Sequence, residues 1–214
     1  MDHLIPPWIV QIKPHLFDLE LELEHRPFFC LHMNSFPPND AFTVRRAQVN
    51  DAQALAELAR QTFIDTYSDL NDPEDIRLHC EKNFGIAQQS AEIINPDYAV
   101  ILIWQQQELI AFAQVVKRPA PDSVQLPEPE HKAIALFRYY VKKEWHGKGV
   151  AQILMQAAEQ TAREFGATHL WLGMWEHNAR ALAFYQKVGF QHVGWVDYHF
   201  GSKVERDYVL LKAL

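Results

Sequence analysis

The sequence predicts an α/β fold, one mixed sheet with helices packed on its faces, and three observations predict it. From Phe42 onward, segments of strand and helix character follow the order β-α-α-β-β-β-α-β-α-β-β. That alternation calls for a sheet covered by helices. Two strand–helix–strand passages, through residues 134–175 and 169–198, predict crossovers with parallel pairing near the sheet centre. Apolar residues recur at helical spacing over 150–165, at positions 150, 154, 157, 158, 162 and 165.

Each element has a local reason. Phe42-Thr43-Val44-Arg45-Arg46-Ala47 reads as a short strand. Asp51 stands where it can N-cap a helix that carries Ala54, Leu55, Leu58, Ala59 and Phe63. Pro73 suits a first helical turn and opens a second helix, which Gly85 ends. Residues 98–104 are a strand, 105–108 a turn, and 109–117 the returning strand of a hairpin. Residues 118–130, rich in proline and acids, read as an exposed loop. There follow a strand at 134–141, a helix at 150–165, a strand at 169–175, a helix at 179–188, and closing strands near 191–198 and 204–212.

The chain has 214 residues, enough for one domain and an appendage. We assign residues 41–214 to the domain and 1–40 to an N-terminal extension. The extension holds six of the twelve prolines and the alternating run Phe17-Asp18-Leu19-Glu20-Leu21-Glu22-Leu23-Glu24. Three readings stay open for it: an edge strand, an arm onto a second subunit of a homodimer, or a mis-annotated start with Met33 as the first residue. A formal net charge of −7 argues against nucleic-acid binding, which needs clustered cations. No apolar run approaches the roughly 20 residues that span a bilayer, and MDHLIPPWIV has no signal-peptide pattern. Cys30 and Cys80 lie outside any zinc-type spacing, as expected of free thiols in a reducing cytoplasm. The eleven histidines form no metal motif; Asp197 and His199 share a strand face, but no metal site is expected there.

Two stretches carry chemistry. In LFRYYVKKEWHGKGVA (136–151), an apolar strand runs into His146-Gly147-Lys148-Gly149-Val150-Ala151 and then a long helix. Small residues there let a ligand approach the backbone. The unpaired N–H groups of the helix's first turn, backed by the helix dipole, suit a pyrophosphate. The stretch completes neither a Walker nor a dinucleotide pattern. The second is LWLGMWEHNARALAFYQKVGF (170–190), where an apolar strand ends in Glu176-His177-Asn178 and restarts as a helix.

Together these stretches resemble the GNAT superfamily of acyl-CoA-dependent N-acetyltransferases. The 146–151 turn is similar to the family's [QR]-x-x-G-x-[GA] pyrophosphate loop, with His146 at the Gln/Arg position. Asn178, Ala181, Phe184-Tyr185 and Gly189-Phe190 follow the family's Asn and A-x-x-F-Y-x-x-x-G-F helix. WLGMWEHN, together with Thr62-Phe63-Ile64-Asp65-Thr66-Tyr67, Gly194, His199-Phe200-Gly201 and Asp207, resembles bacterial spermidine/spermine N-acetyltransferases of the PaiA type.

The resemblance implies a twisted, mostly antiparallel mixed sheet, splayed between strands four and five and flanked by about four helices. It implies acetyl-CoA as co-substrate and a small-molecule amine as acceptor, with no nucleic-acid or membrane partner. Tyr185 becomes the acid that protonates the leaving thiolate. Tyr140 or Val141 supplies a backbone N–H to the oxyanion. His146, Gly147, Lys148, Gly149, Val150 and Ala151 hold the pyrophosphate. Asn178 meets the CoA arm, besides being a good N-cap. Relatives often carry Glu on the fourth strand, where this chain has Ala135 and Phe137. A water chain, His177, Glu176 or loss of the proton to solvent is then left to supply the base. Asp65 and Asp69, in an acidic stretch of the first helices, with Glu176 and His177, are the candidate acceptor residues. Arg138, inside an apolar strand, is expected to face solvent or pair with an acid. Acceptors other than polyamines (a protein N-terminus, a lysine) and a non-catalytic acyl-CoA-binding role are the alternatives.

Overall fold

The computed structural model describes residues 42–69, 71–122, 124–126, 128, 131–200 and 203–214. The expectations for residues 1–40, Cys30 among them, lie outside the described residues. Among those described, seven strands form one sheet: β1 (Thr43–Arg46), β2 (Tyr98–Gln105), β3 (Glu108–Val116), β4 (Ala133–Val141), β5 (His169–Trp175), β6 (Gln191–Phe200) and β7 (Lys203–Ala213). Five helices accompany them: α1 (Ala52–Tyr67), α2 (Pro73–Asn83), α3 (Ile86–Ile94), α4 (Val150–Glu164) and α5 (Ala179–Lys187). The sheet order is β1-β2-β3-β4-β5-β7-β6, antiparallel throughout except for the parallel β4–β5 pair.

The apolar runs of the central strands exist because both faces of the sheet are covered. Along β2 the side chains alternate: Ile101 and Ile103 pack in a core that includes Leu154, Met155 and Ala158 of α4 and Ala181 and Tyr185 of α5. Val100 and Leu102 face the opposite core, with Leu55, Phe63 and Tyr67 of α1 and Ile76 and Cys80 of α2.

Three expectations need correction. Helix α3 was not foreseen, because Gly85 reads as a stop; it does end the α2 segment, but it is also the N-cap of α3. Only one of the two crossovers yields parallel neighbours, since β7 inserts between β5 and β6 and pairs antiparallel with both. Asp51 does precede α1, but its carboxylate turns back. It accepts from Arg45 at 2.6 and 2.7 Å and from the Gln48 N–H at 2.7 Å.

Strand β4 carries the feature that shapes the site. Val115 pairs with Leu136 and Gln114 with Arg138, so Phe137 is an extra residue, a β-bulge. Past it the side-chain alternation reverses: Tyr139 joins the α4/α5 core and Tyr140 the α1/α2 core. The bulge also points Arg138 inward, where it is 3% exposed. There the guanidinium donates to Glu92 of α3 at 2.7 Å and to the Gln114 side chain at 3.1 Å, while Gln114 donates to Glu92 at 2.7 Å. The Phe84 ring lies 5.0 Å from the guanidinium carbon. Arg138 thus pairs with an acid, as the sequence allows, but in the interior rather than at a solvated face.

Removing one member of such a buried pair leaves the other charge unbalanced, at a cost of about 3–5 kcal/mol. Glu92→Ala is expected to lower the melting temperature by roughly 6–20 °C, at ~2–4 °C per kcal/mol for a domain of this size. Scanning calorimetry checks this; a drop of a degree or two would show that the pair is not a structural tie.

Candidate active site

Strands β4 and β5 pair only where Ala133, Ile134 and Ala135 meet His169, Leu170 and Trp171. Both strands run on, to Val141 and Trp175, without further pairing to each other. A gap therefore opens in the middle of the sheet at the C-terminal ends of its two parallel strands. The turn that follows β4 and the start of α5 that follows β5 border it.

On one side lies the turn into α4. A short 3-10 helix, Lys143–Trp145, follows β4, and the chain then makes the turn of residues 146–149. Gly149 caps α4 in the left-handed region at φ 82°, and Gly147 sits at φ 76°. A Cβ on Gly147 would meet nothing within 4 Å, so that side of the turn is open. The Tyr139 hydroxyl donates to the Ala151 carbonyl and ties the start of α4 to β4. Lys148 holds its ammonium 4.8 Å from the Trp145 ring centroid.

His146 departs from its sequence-based role. Its backbone N–H donates to the Lys143 carbonyl at 3.1 Å, and its ring Nε2 lies 2.9 Å from the Val141 carbonyl. A carbonyl can only accept, so the Nε2 nitrogen carries the proton. Burial also lowers the imidazole pKa. The donors of the turn thus begin after His146, and its ring borders a small cleft with Thr62, Asp65 and Thr66 of α1 and with Tyr140.

The ladder separates the two oxyanion candidates. The Lys142 N–H donates to the Ile110 carbonyl. By antiparallel alternation the next residue bonded to β3 is Tyr140, opposite Phe112. Val141 therefore turns its N–H and carbonyl away from β3, toward the gap, with His146 on the carbonyl.

Across the gap, Asn178 is the N-cap of α5: its Oδ1 accepts from the Ala181 N–H at 3.0 Å. Any further contact of that side chain falls to its NH₂ group. Tyr185, two turns on, is wholly buried beside Tyr139, whose ring centroid is 6.3 Å away. Its hydroxyl has no hydrogen-bond partner among the described residues. Burial, with smaller contributions from Tyr139 and Tyr140, raises its pKa well above the ordinary phenol value. It stays protonated at any working pH.

The four acceptor candidates are not brought together. Asp65 lines the α1 cleft and accepts from Gln61 at 2.7 Å. Asp69 is exposed beyond the end of α1. Glu176 and His177 border a different recess, with Asp197, Glu205 and Arg206. The His177 side chain is 69% exposed, its ring edge-on to Trp175.

A group that the sequence left as a bare pattern match is prominent instead. Asp207 of β7 is 0% exposed and neither carboxylate oxygen has a hydrogen-bond partner among the described residues. Burial first, then Glu205 and Glu176, push its pKa up to about 8. The signal that could have found it is an acid at the head of the apolar run Tyr208-Val209-Leu210-Leu211. Among the described residues no group of three or more His, Cys, Asp or Glu could hold a metal ion, and no helix is long and apolar enough to cross a membrane.

Comparison with known proteins gives one answer. Residues 52–190 match the acetyltransferase (GNAT) family. An uncharacterized N-acetyltransferase of Lactobacillus delbrueckii subsp. lactis is 28% identical over 164 residues, 77% of this chain and 92% of its own. The spermine/spermidine N(1)-acetyltransferase of Bacillus subtilis is 26% identical over 108 residues, 50% of this chain and 68% of its own. The crystal structure of PaiA N-acetyltransferase from Thermoplasma acidophilum in complex with coenzyme A shares the fold at a TM-score of 0.63 and 21% identity, covering 81% of this chain and 99% of that one. On the matched residues and the shared fold, this chain belongs to the acetyltransferase (GNAT) family of N-acetyltransferases.

Proposed function

We propose that the protein transfers the acetyl group of acetyl-CoA to a primary amine, with a polyamine as acceptor, by direct attack within a ternary complex. The observation that carries the reading is the β4–β5 gap, with the N-terminus of α4 on one side and α5, which carries Asn178 and Tyr185, on the other. The Thermoplasma protein of the same fold holds coenzyme A. The Bacillus relative acts on spermine and spermidine. The net charge of −7 and Asp65 in the α1 cleft favour a cationic acceptor.

The residues fit the co-substrate. Backbone N–H groups from Gly147 through Ala151 present donors and the positive end of the α4 dipole to a pyrophosphate. The Asn178 NH₂ is available to the amides of the pantetheine arm. The Val141 N–H, aimed into the gap, stabilises the oxyanion as the thioester carbonyl becomes tetrahedral. Tyr185 gives its proton to the departing thiolate, and its orphaned hydroxyl is the group best explained by that role. The phenol is a weaker acid than a thiol that titrates near 8.5, so it acts first as a hydrogen-bond donor to the developing thiolate and regains from the acceptor nitrogen the proton it passes on.

The test is thiol release from acetyl-CoA with spermidine, and mass spectrometry of the product. Turnover well above thioester hydrolysis is expected; a broad amine panel without turnover would contradict the reading. Tyr185→Phe keeps the packing and removes the proton donor. Its kcat should fall about 100-fold or more, with the KM for acetyl-CoA within about threefold. Unchanged turnover removes Tyr185 from the chemistry. Gly149→Ala places a Cβ at φ 82°, which costs about 1–2 kcal/mol. The KM for acetyl-CoA should rise about tenfold or more, while thermal stability falls only slightly; an unaltered KM would place the pyrophosphate elsewhere.

A further inference from the structure

On the α1/α2 face of the sheet, four buried polar oxygens that have no hydrogen-bond partner among the described residues lie together: the hydroxyls of Tyr67 and Tyr198 and both carboxylate oxygens of Asp207. They belong to three elements. Tyr67 ends α1, Tyr198 lies on β6 and Asp207 on β7. The register brings them to one face. Asp207 stands opposite Trp175 of β5 and Val196 of β6, and Tyr198 is two residues along β6 from Val196. Tyr67 and Tyr198 pack in the same core as Tyr140, and both stack on Phe200 at 6.4 and 6.5 Å. Asp207 and Tyr140 act electrostatically on both Tyr67 and Tyr198. The cluster sits beside the β4–β5 gap, with Tyr140 on the near edge of β4 and Asp207 one strand beyond β5.

An unpaired buried carboxylate is among the costliest things a fold can contain, and an isolated orphan in a natural protein calls for a reason. Three orphaned side chains together call for a common one. Two acceptor-capable hydroxyls, a carboxylate and a wall of aromatic faces match the needs of an alkylammonium group. Among the described residues, no cation of the chain sits on any of these oxygens.

The geometry points to Asp207, framed by Tyr67 and Tyr198, as the group that receives the acceptor's ammonium and takes its proton. This rests on the amine-acetyltransferase reading and supplies the base that β4, with Ala135 and Phe137, lacks. The steps balance. Asp207 carboxylate takes one proton from R–NH₃⁺. The neutral nitrogen attacks the thioester carbonyl carbon and forms the C–N bond. The C–S bond breaks. The nitrogen loses a second proton as it becomes an amide, and the thiolate takes one by way of Tyr185. Asp207 then releases its proton to water. The groups facing the carboxyl are Tyr67 from α1, Glu176 after β5, Tyr198 from β6 and Glu205 along β7. Burial first, then Glu205 and Glu176, raise its pKa to about 8, so it is a far stronger base than an ordinary carboxylate.

Asp207→Asn in the full chain tests this. The kcat with spermidine should fall about 100-fold or more, and the rising limb near pH 8 in the wild-type kcat profile should vanish. A weakly basic amine, neutral at the assay pH, should lose less than about fivefold. Equal losses for both acceptors, or a retained limb, would overturn the assignment. Stability supplies the folding control. A carboxyl whose pKa is raised on folding destabilises as pH climbs from its unfolded value near 3.9 through about 8. Wild-type Tm should therefore fall relative to the variant over that window. Infrared difference spectra of the wild type need no turnover: spermidine added at pH 7 should convert one protonated carboxyl to carboxylate, and the change should be absent in Asp207→Asn. No such change in the wild type sinks the inference even if acetyl transfer is established; failure of transfer with this change present sinks only the reading of the reaction.

Discussion

The single extra residue in β4 is the constraint on which the rest depends. Without the bulge at Phe137, β4 would continue in register beside β5 and the sheet would have no gap. A bulge bends its strand and increases local twist, so pairing ends after Ala135 and Trp171. The same extra residue reverses the alternation, which sends Tyr139 to the start of α4 and Tyr140 toward α1. It also buries Arg138, and a buried guanidinium must find an acid and further acceptors. Glu92 and Gln114 meet that need, and α3 is held in place as a result. One local irregularity thus sets the cleft, the orientation of the α4 turn and the docking of a helix at the back of the sheet.

Around that cleft the protein accepts local instability. Tyr185, Tyr67, Tyr198 and Asp207 all keep buried polar atoms unpaired, whereas the Arg138 cluster a few residues away is fully bonded. Perturbed titratable groups concentrate where chemistry needs them, and here Asp207 and Tyr185 are perturbed by the same cause, burial beside an opening in the sheet. Their consequences are opposite in use: one becomes a stronger base, the other a phenol that stays protonated.

Most of the fold was legible in the sequence because its strands are buried on both faces and its helices on one. A continuous apolar run at 98–104 and a period of 3.6 over 150–165 therefore mark strand and helix plainly. Helix α3 was not, because Gly85 serves as the end of one segment and the cap of the next, and its burial is carried by polar residues, Gln89 and Glu92, rather than by an apolar stripe. The position of β7 between β5 and β6 depends on long-range pairing that no local pattern records. In the site, glycines at positive φ and an N-capping Asn leave local signatures, so the α4 turn and Asn178 could be read. His146 could not: its ring is turned to the Val141 carbonyl by a contact between residues five apart, not by its motif position. Asp207 looked like one acid in a strand, and only the register that sets it on the face of Tyr198 gives it meaning.

The most direct measurement is a crystal structure of the protein with coenzyme A and an acetylated polyamine. The thiol should lie in the gap between β4 and β5. The Val141 N–H should lie within hydrogen-bond distance of the acetyl oxygen, the Tyr185 hydroxyl against the sulfur, and the acceptor nitrogen on the side of Asp207. Coenzyme A bound elsewhere, or a gap closed by continued β4–β5 pairing, would contradict it.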